Sequence, residues 1–398
     1  MRTHAAGWGE KRWKECLHIG KTRFFALWER YQAGPDSFSI AYDRPTPGRI
    51  SPEVEAAIET ELRRDKSLIE DPDIPISGYN YSAVRDRLRK QAITLSVNTI
   101  IDRARRLGCH EPRKKKTHDR EVLTSSIGAL IQHDGSTHRW SPFSQDKWTL
   151  ITSIDDYSRM LLFADFFPAE TTWAHIQATR SVMETIGLPL RFHVDSLRVF
   201  RFVQGRDCFW RNHVLHTDDV DTQWGKMMDL LGIDVVYALS PQAKGKVERP
   251  YRWLQDRIVR TCALEGIGQV ADARTVLREE LERYNHRQVH STTKEIPSVR
   301  FAKAQATGNT LFRPFSLPEP YTSPKDIFCL REKRTTNPYG RISLSNHEVR
   351  IVNVPLRQEV DVHLVPDFAK NTMQVRIWWQ GTPAHSVDLP LDRFTVHL

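Results

Sequence analysis

The chain has 398 residues, 39% of them apolar, with 58 Lys plus Arg against 49 Asp plus Glu; it is too long for one ordinary core, and two to four domains are expected. No run of about 18 apolar residues occurs, Lys, Arg and Glu pepper the first 30 residues, and the five cysteines (Cys16, Cys109, Cys208, Cys262, Cys329) form no CxxC pair, which argues against membrane and secreted classes and for a cytoplasmic protein. The net charge of +9 is uneven: residues 1–120 hold 24 basic and 17 acidic residues, the remaining 278 hold 34 and 32, so the polyanion-binding character sits at the front.

In chain order, residues 1–45 read as a first helix-turn-helix-like unit, with Phe24, Phe25, Leu27 and Trp28 closing on Tyr31 before Gly34-Pro35. Arg44-Pro45-Thr46-Pro47-Gly48 is a linker by composition. A second unit, 46–110, opens with Ser51-Pro52 as cap and first helical residue, followed by Val54, Ile58 and Leu62 at helical spacing. Two further helices, 82–90 and 96–107, are joined by a tight turn, the arrangement of a helix-turn-helix or winged helix. The last of them leaves Asn98, Thr99, Arg103 and Arg106 on its polar side, where base edges or phosphates could be met. A small helical bundle with a solvated charged face is the plainer alternative. Residues 111–122 form a basic linker whose Lys114, Lys115 and Lys116 can track phosphates.

From residue 129 the pattern changes to strands. Apolar stretches at 129–134, 148–154 and 160–167 precede a helix at 172–186, a strand at 190–195, a helix near 222–231, a strand at 234–238 and long helices at 246–262 and 273–284. Three antiparallel strands extended by parallel ones through helical crossovers make a mixed α/β sheet covered on both faces. A Pro-rich linker at 306–325 leads to residues 326–398, whose apolar residues alternate at period two, as in a small β-barrel.

Three acids stand out by position. Asp134 and Asp195 end the first and fourth strands, and Glu248 lies in the first turn of the helix after Lys244-Gly245-Lys246. Three clustered carboxylates resist ionisation unless a cation neutralises them, and oxygen-only ligands favour Mg²⁺ or Mn²⁺. Two such ions about 4 Å apart suit phosphodiester chemistry. Lys244 and Lys246 flank Gly245, where backbone can approach a phosphate, and Arg252 shares a helix face with Glu248. Asp155 and Asp156 are expected to cap a turn instead of binding metal.

The flanks of these acids, His133-Asp134-Gly135, Ile154-Asp155-Asp156-Tyr157-Ser158-Arg159, Val194-Asp195 and above all Ser240-Pro241-Gln242-Ala243-Lys244-Gly245-Lys246-Val247-Glu248-Arg249, resemble the catalytic core of DDE transposases and retroviral-type integrases over about residues 123–303. Bacterial insertion-sequence transposases, with helix-turn-helix units in front and a small β-barrel behind, are the nearest pattern. The resemblance implies an RNase H-like fold for residues 123–305, a metal-binding triad of Asp134, Asp195 and Glu248 holding two Mg²⁺ or Mn²⁺ ions, and double-stranded DNA as partner. It further implies a homo-oligomer on DNA in the nucleoid, with no small-molecule substrate. Fifty-two residues separate Asp195 from Glu248, more than in compact members, so residues 197–217 are read as an insertion. Its Cys208 and His213 lack the paired spacing of a zinc site. The zinc module of retroviral integrases is missing, which argues against a retrotransposon integrase. A domesticated DNA-binding regulator would be expected to have lost one of the acids, and a plain RNase H-type nuclease would not need the front units.

Overall fold

The structure, a computed structural model, describes residues 20–39, 50–110, 124–195, 222–237, 245–345 and 347–394, the side chains of Lys21, Ser37 and residues 245–250 excepted. Two compact units meet in sequence at Met1–Ala57 and Ile58–Leu398. In the first, α1 (Lys21–Ala33) stops at Gly34, and Trp28 stacks on Tyr31, which meets Phe38 edge-on at 5.4 Å. The rest of the first helix-turn-helix-like segment lies outside the described residues.

The helix α2 (Pro52–Glu70) runs from the first unit into the second. There Ile58, Leu62 and Leu68 are buried, with α3 (Tyr81–Lys90) and α4 (Val97–Arg106) following. Asn80 caps α3 by accepting from the Ala83 N–H at 3.1 Å, and Ser96 caps α4 through the Thr99 N–H at 3.1 Å. The turn between α3 and α4 passes through Ala92 in the left-handed region, φ 61°. The inner faces are the predicted ones: Val84 and Leu88 of α3, Ile100 and Ala104 of α4.

The described residues between 124 and 306 include the predicted mixed sheet. Its strands are β1 (Ile131–His138), β2 (Trp148–Asp155), β3 (Leu161–Phe167), β4 (Arg191–Val194) and β5 (Asp234–Tyr237), in the order β3-β2-β1-β4-β5. β1 to β3 pair antiparallel, while β4 runs parallel to both β1 and β5. On one face lie α5 (Thr172–Thr185) and α6 (Gln223–Leu230), whose Trp173, Ile176 and Trp224 meet Ile131 and Phe192. On the other lie α7 (Gly245–Glu265) and α8 (Val270–His286), with Leu254, Ile258 and Leu277 against Leu150, Ile154 and Phe166. A helix absent from the sequence reading, α9 (Pro297–Ala306), begins with proline in its first turn. That residue was the available signal.

The segment α2–α4 docks on α7. Leu68 and Ile76 meet Val259, and buried ion pairs surround them: Arg260 to Asp65 at 3.0 Å, Arg87 to the same Asp65 at 2.7 Å, and Arg257 to Asp86 at 2.9 Å. Arg260 also donates to the Gly78 carbonyl at 2.9 Å.

Two features differ from the sequence reading. The Pro-rich stretch after α9 is pinned to the core: Arg313 and Leu188 exchange backbone hydrogen bonds at 2.7 and 2.8 Å, and the Arg313 guanidinium donates to the Leu231 and Gly232 carbonyls. The C-terminal strands form no closed barrel among the described residues. β6 (Leu330–Thr335), β9 (Glu359–Asp367), β10 (Thr372–Trp379) and β11 (Thr382–Pro390) make an open antiparallel sheet in the order β11-β10-β9-β6, beside a separate hairpin of β7 (Arg341–Leu344) and β8 (His347–Arg350). The hairpin strands have four residues each, and they join the sheet through Ile342, Leu344 and Val349 packed with Val360, Val362 and Ile377. Alternation is satisfied by that side-chain packing without a continuous ladder. The Gln223 amide of α6 exchanges two hydrogen bonds with the Arg331 backbone of β6, at 2.6 and 2.8 Å, fastening this sheet to the core. Among the described residues no helix is long and apolar enough to cross a membrane.

Candidate active site

Asp134 sits within β1 opposite Thr152 of β2. The parallel ladder between β1 and β4 pairs Ile131 with Phe192 and Gln132 with His193. Continued in register for two residues, it sets Asp134 level with Asp195, which directly follows Val194 at the end of β4. Neighbouring strands lie about 4.8 Å apart, and residues two apart share a face. Both aspartates therefore belong to the face of Gln132 and His193, the one covered by α7.

The same face brings α7 to Asp134. The Tyr251 hydroxyl, fully buried, donates to the Asp134 backbone carbonyl and accepts from Thr152 Oγ1 at 2.9 Å. Burial raises the Tyr251 hydroxyl well above its ordinary pKa, and the nearby Asp134 and Glu170 carboxylates add to the effect. It thus stays a neutral donor. Glu248 lies three residues before Tyr251, one turn up the same helix; its side chain is outside the described residues. Among the described residues no group of three or more His, Cys, Asp or Glu side chains could hold a metal ion. Asp134 and Asp195 alone supply oxygen donors, which suit a hard divalent cation.

Asp155 and Asp156 behave as turn formers. Asp155 accepts from the Gly128 and Ser158 N–H groups at 2.9 and 2.8 Å, and burial raises its pKa against those bonds. Asp156 pairs with buried Arg159 at 3.1 Å.

The predicted DNA-contacting residues scatter. Asn98 and Arg106 are exposed on α4 and Arg103 is half-buried, while the Thr99 hydroxyl shares a hydrogen bond with Ser96 Oγ at 2.8 Å. Arg252 is exposed on α7, beside an open cleft that it shares with Arg85, Arg89 and Asn80 of the helical segment. Lys114, Lys115, Lys116 and Lys244, and the insertion with Cys208 and His213, lie outside the described residues, as does the side chain of Lys246.

Sequence reasoning missed four participants. In sequence, Tyr251 is only one more aromatic residue of a helix. Glu170, His133 and His175 gave no signal singly, since their meaning comes from contacts across the sheet. His133 Nε2 meets His175 Nδ1 at 2.9 Å, and His175 Nε2 meets Glu170 Oε1 at 3.3 Å.

A mixed α/β core with one aspartate inside its first strand and another just past the end of the adjacent parallel strand is the class of protein that the fold and site define. No family model matches the chain. By sequence it is similar to bacterial transposases: it is 29% identical over 286 residues to a putative transposase, y4bF, of Sinorhizobium fredii (strain NBRC 101917 / NGR234), covering 71% of this chain and 55% of that protein. To the transposase for insertion sequence IS1202 of Streptococcus pneumoniae it is 30% identical over 214 residues, covering 53% and 44%. The chain thus spans about half the length of these relatives. Among solved structures, the HTLV-2 integrase catalytic core domain in complex with magnesium (trimeric form) matches 46% of this chain and 99% of its own, with TM-score 0.34 and 14% identity. The simian T-cell lymphotropic virus intasome in complex with PP2A regulatory subunit B56 gamma matches 76% and 95%, with TM-score 0.35 and 13% identity.

Proposed function

We propose that the chain is a DNA transposase of the DDE type, with an RNase H-like core at 123–305 that cleaves the 3′ ends of an element and joins them to target DNA. The observation that carries this reading is the parallel pairing of Ile131 with Phe192 and of Gln132 with His193, which runs the strands that lead to Asp134 and Asp195 side by side in a sheet covered by α7. The transposase relatives support it. Asp134, Asp195 and Glu248 would hold two Mg²⁺ or Mn²⁺ ions, which when bound supply neutralisation of the charge that builds on the scissile phosphate. The chain's own residues do the rest. Tyr251 fixes the Asp134 backbone and so the angle at which that carboxylate leaves β1. Water is the first attacking group, freeing a 3′ hydroxyl, and that hydroxyl then attacks the target in line, with no covalent protein intermediate. The segment α2–α4 serves as the helix-turn-helix that recognises the element's ends through Asn98, Thr99, Arg103 and Arg106. Lys114, Lys115, Lys116, Lys244, Lys246 and Arg252 meet phosphates. Two element ends need two sites, so the working form is a homo-oligomer on DNA.

The test is strand transfer with the element's ends in Mg²⁺. Asp134→Asn, Asp195→Asn and Glu248→Gln should each abolish cleavage and joining while leaving end binding nearly intact. Wild-type joining by any one of them would remove that residue from the triad.

A further inference from the structure

Behind β1, on the face opposite Asp134, four polar side chains form a chain through the core. Ser153 Oγ lies 2.8 Å from His133 Nδ1, His133 Nε2 lies 2.9 Å from His175 Nδ1, and His175 Nε2 lies 3.3 Å from Glu170 Oε1. Both imidazoles are buried, and His133 is stacked parallel to Trp224 and set edge-on to Phe192. For neutral imidazoles and an ionised Glu170, one proton arrangement satisfies every link. Glu170 can only accept, so His175 carries its proton on Nε2; its Nδ1 then accepts from His133 Nε2–H, and His133 Nδ1 accepts from the Ser153 hydroxyl. Three donors thus point the same way, toward Glu170, and each polarises the next.

The end of this chain is placed beside the candidate site. The Glu170 carboxylate rests against Gly135, the residue after Asp134, so closely that a Cβ there would stand 2.5 Å from Glu170 Oε1. The absence of a side chain at Gly135 admits the carboxylate to the strand backbone. Partner strand β4 ends at Val194, one residue before Asp195.

We propose that Glu170 is a positioning residue of the metal-binding edge: held against Gly135 by the two-histidine chain, its carboxylate adds negative charge that strengthens divalent-cation binding at Asp134 and Asp195. The proposal rests on the metal-site reading above. A purely structural role would need only an acceptor for His175. Glu170→Gln separates the two, because its amide oxygen can still accept that hydrogen bond while the charge is gone.

The experiment is a Mn²⁺ titration of the full chain by calorimetry, with a metal-free thermal melt of each variant. Glu170→Gln should weaken Mn²⁺ binding roughly tenfold, the scale on which partners behind metal ligands act, with the metal-free melt unchanged. Gly135→Ala should do the same by displacing the carboxylate, and the double variant should bind no more weakly than Glu170→Gln alone. Glu170→Asp, which keeps the charge, should recover part of the affinity. Wild-type affinity in Glu170→Gln, with Asp134→Asn binding lost, overturns the proposal and leaves the metal site standing; so does a metal-free melt lowered as much by Glu170→Gln as by Glu170→Ala. Undiminished binding in the Asp134→Asn, Asp195→Asn double variant overturns the metal-site reading itself.

Discussion

On one face of the five-stranded sheet, α5 and α6 meet β1 and β4 through Ile131, Trp173, Ile176, Phe192 and Trp224, and the same apolar cluster continues into the C-terminal sheet. On the other face, α7 covers the sheet with Leu254 and Ile258 but turns Arg257 and Arg260 outward to Asp86 and Asp65 of the helical segment. Apolar contact is non-directional and tolerates small shifts. Buried ion pairs are not tolerant, because desolvated charges must meet in one geometry. The helix that carries Glu248 near its start is thus packed on the sheet by apolar contact and tied by charge to the segment proposed to read DNA.

The largest expected effect breaks that ionic face. Arg260→Ala strands Asp65, 0% exposed, without one of its two cationic partners, and should cost about 3–5 kcal/mol in urea unfolding. Arg260→Met combined with Asp65→Leu should restore most of it. If Arg260→Ala unfolds at the wild-type midpoint, the two faces do not differ in the way described.

Next is the buried polar cluster inside the otherwise apolar C-terminal sheet. Asp326 accepts two hydrogen bonds from Arg376, at 2.6 and 2.9 Å, and one from Trp378 Nε1 at 3.0 Å. Burial pushes the Asp326 carboxyl up, but these bonds and the Arg376 charge outweigh it and hold it below the usual carboxylate range. His363, pushed down to about 4 by burial and then by Arg331, is neutral when folded. In the unfolded chain it titrates near 6.5, so between these values only the unfolded state takes up the proton. The stability contributed by neutral His363 is therefore full above pH 6.5 and lost as pH falls toward 4, of order 3 kcal/mol in all. Unfolding followed from pH 7 to 4 should show this slope, and His363→Asn should flatten it.

On the apolar face, Ile176→Val should cost only about 1 kcal/mol. A loss as large as that of Arg260→Ala would erase the contrast between tolerant and intolerant faces. The smallest effect concerns recognition: Arg103→Ala and Arg106→Ala should each lower the salt dependence of end binding by about one unit of log–log slope. Unchanged slopes would detach α4 from the DNA.

The sequence set out the strands of the core to within a few residues, since apolar runs bounded by turn residues mark where a buried sheet begins and ends. It placed Asp195 at a strand end and Glu248 in the first turns of a helix, but it ended the first strand at Asp134, which the structure carries on to His138. It did not show Glu170, because nothing near residue 170 marks a carboxylate whose neighbour is Gly135. Arg260 likewise reads as one more helical cation until Asp65, 195 positions away, is set against it. The open C-terminal sheet was hidden for a related reason: period-two alternation specifies which side of a strand is buried, and not which strands close a ladder.

By itself, then, the order of residues determined the local elements, their inner faces and the two aspartates, because periodicity and turn chemistry act over a few residues. Tertiary structure decided the parallel pairing of β1 with β4 that precedes Asp134 and Asp195, the donation from Tyr251 to the Asp134 carbonyl and the histidine chain behind Gly135. Those depend on side chains and strand edges that meet only when the sheet is assembled, where a buried polar group must find a partner whatever its distance along the chain.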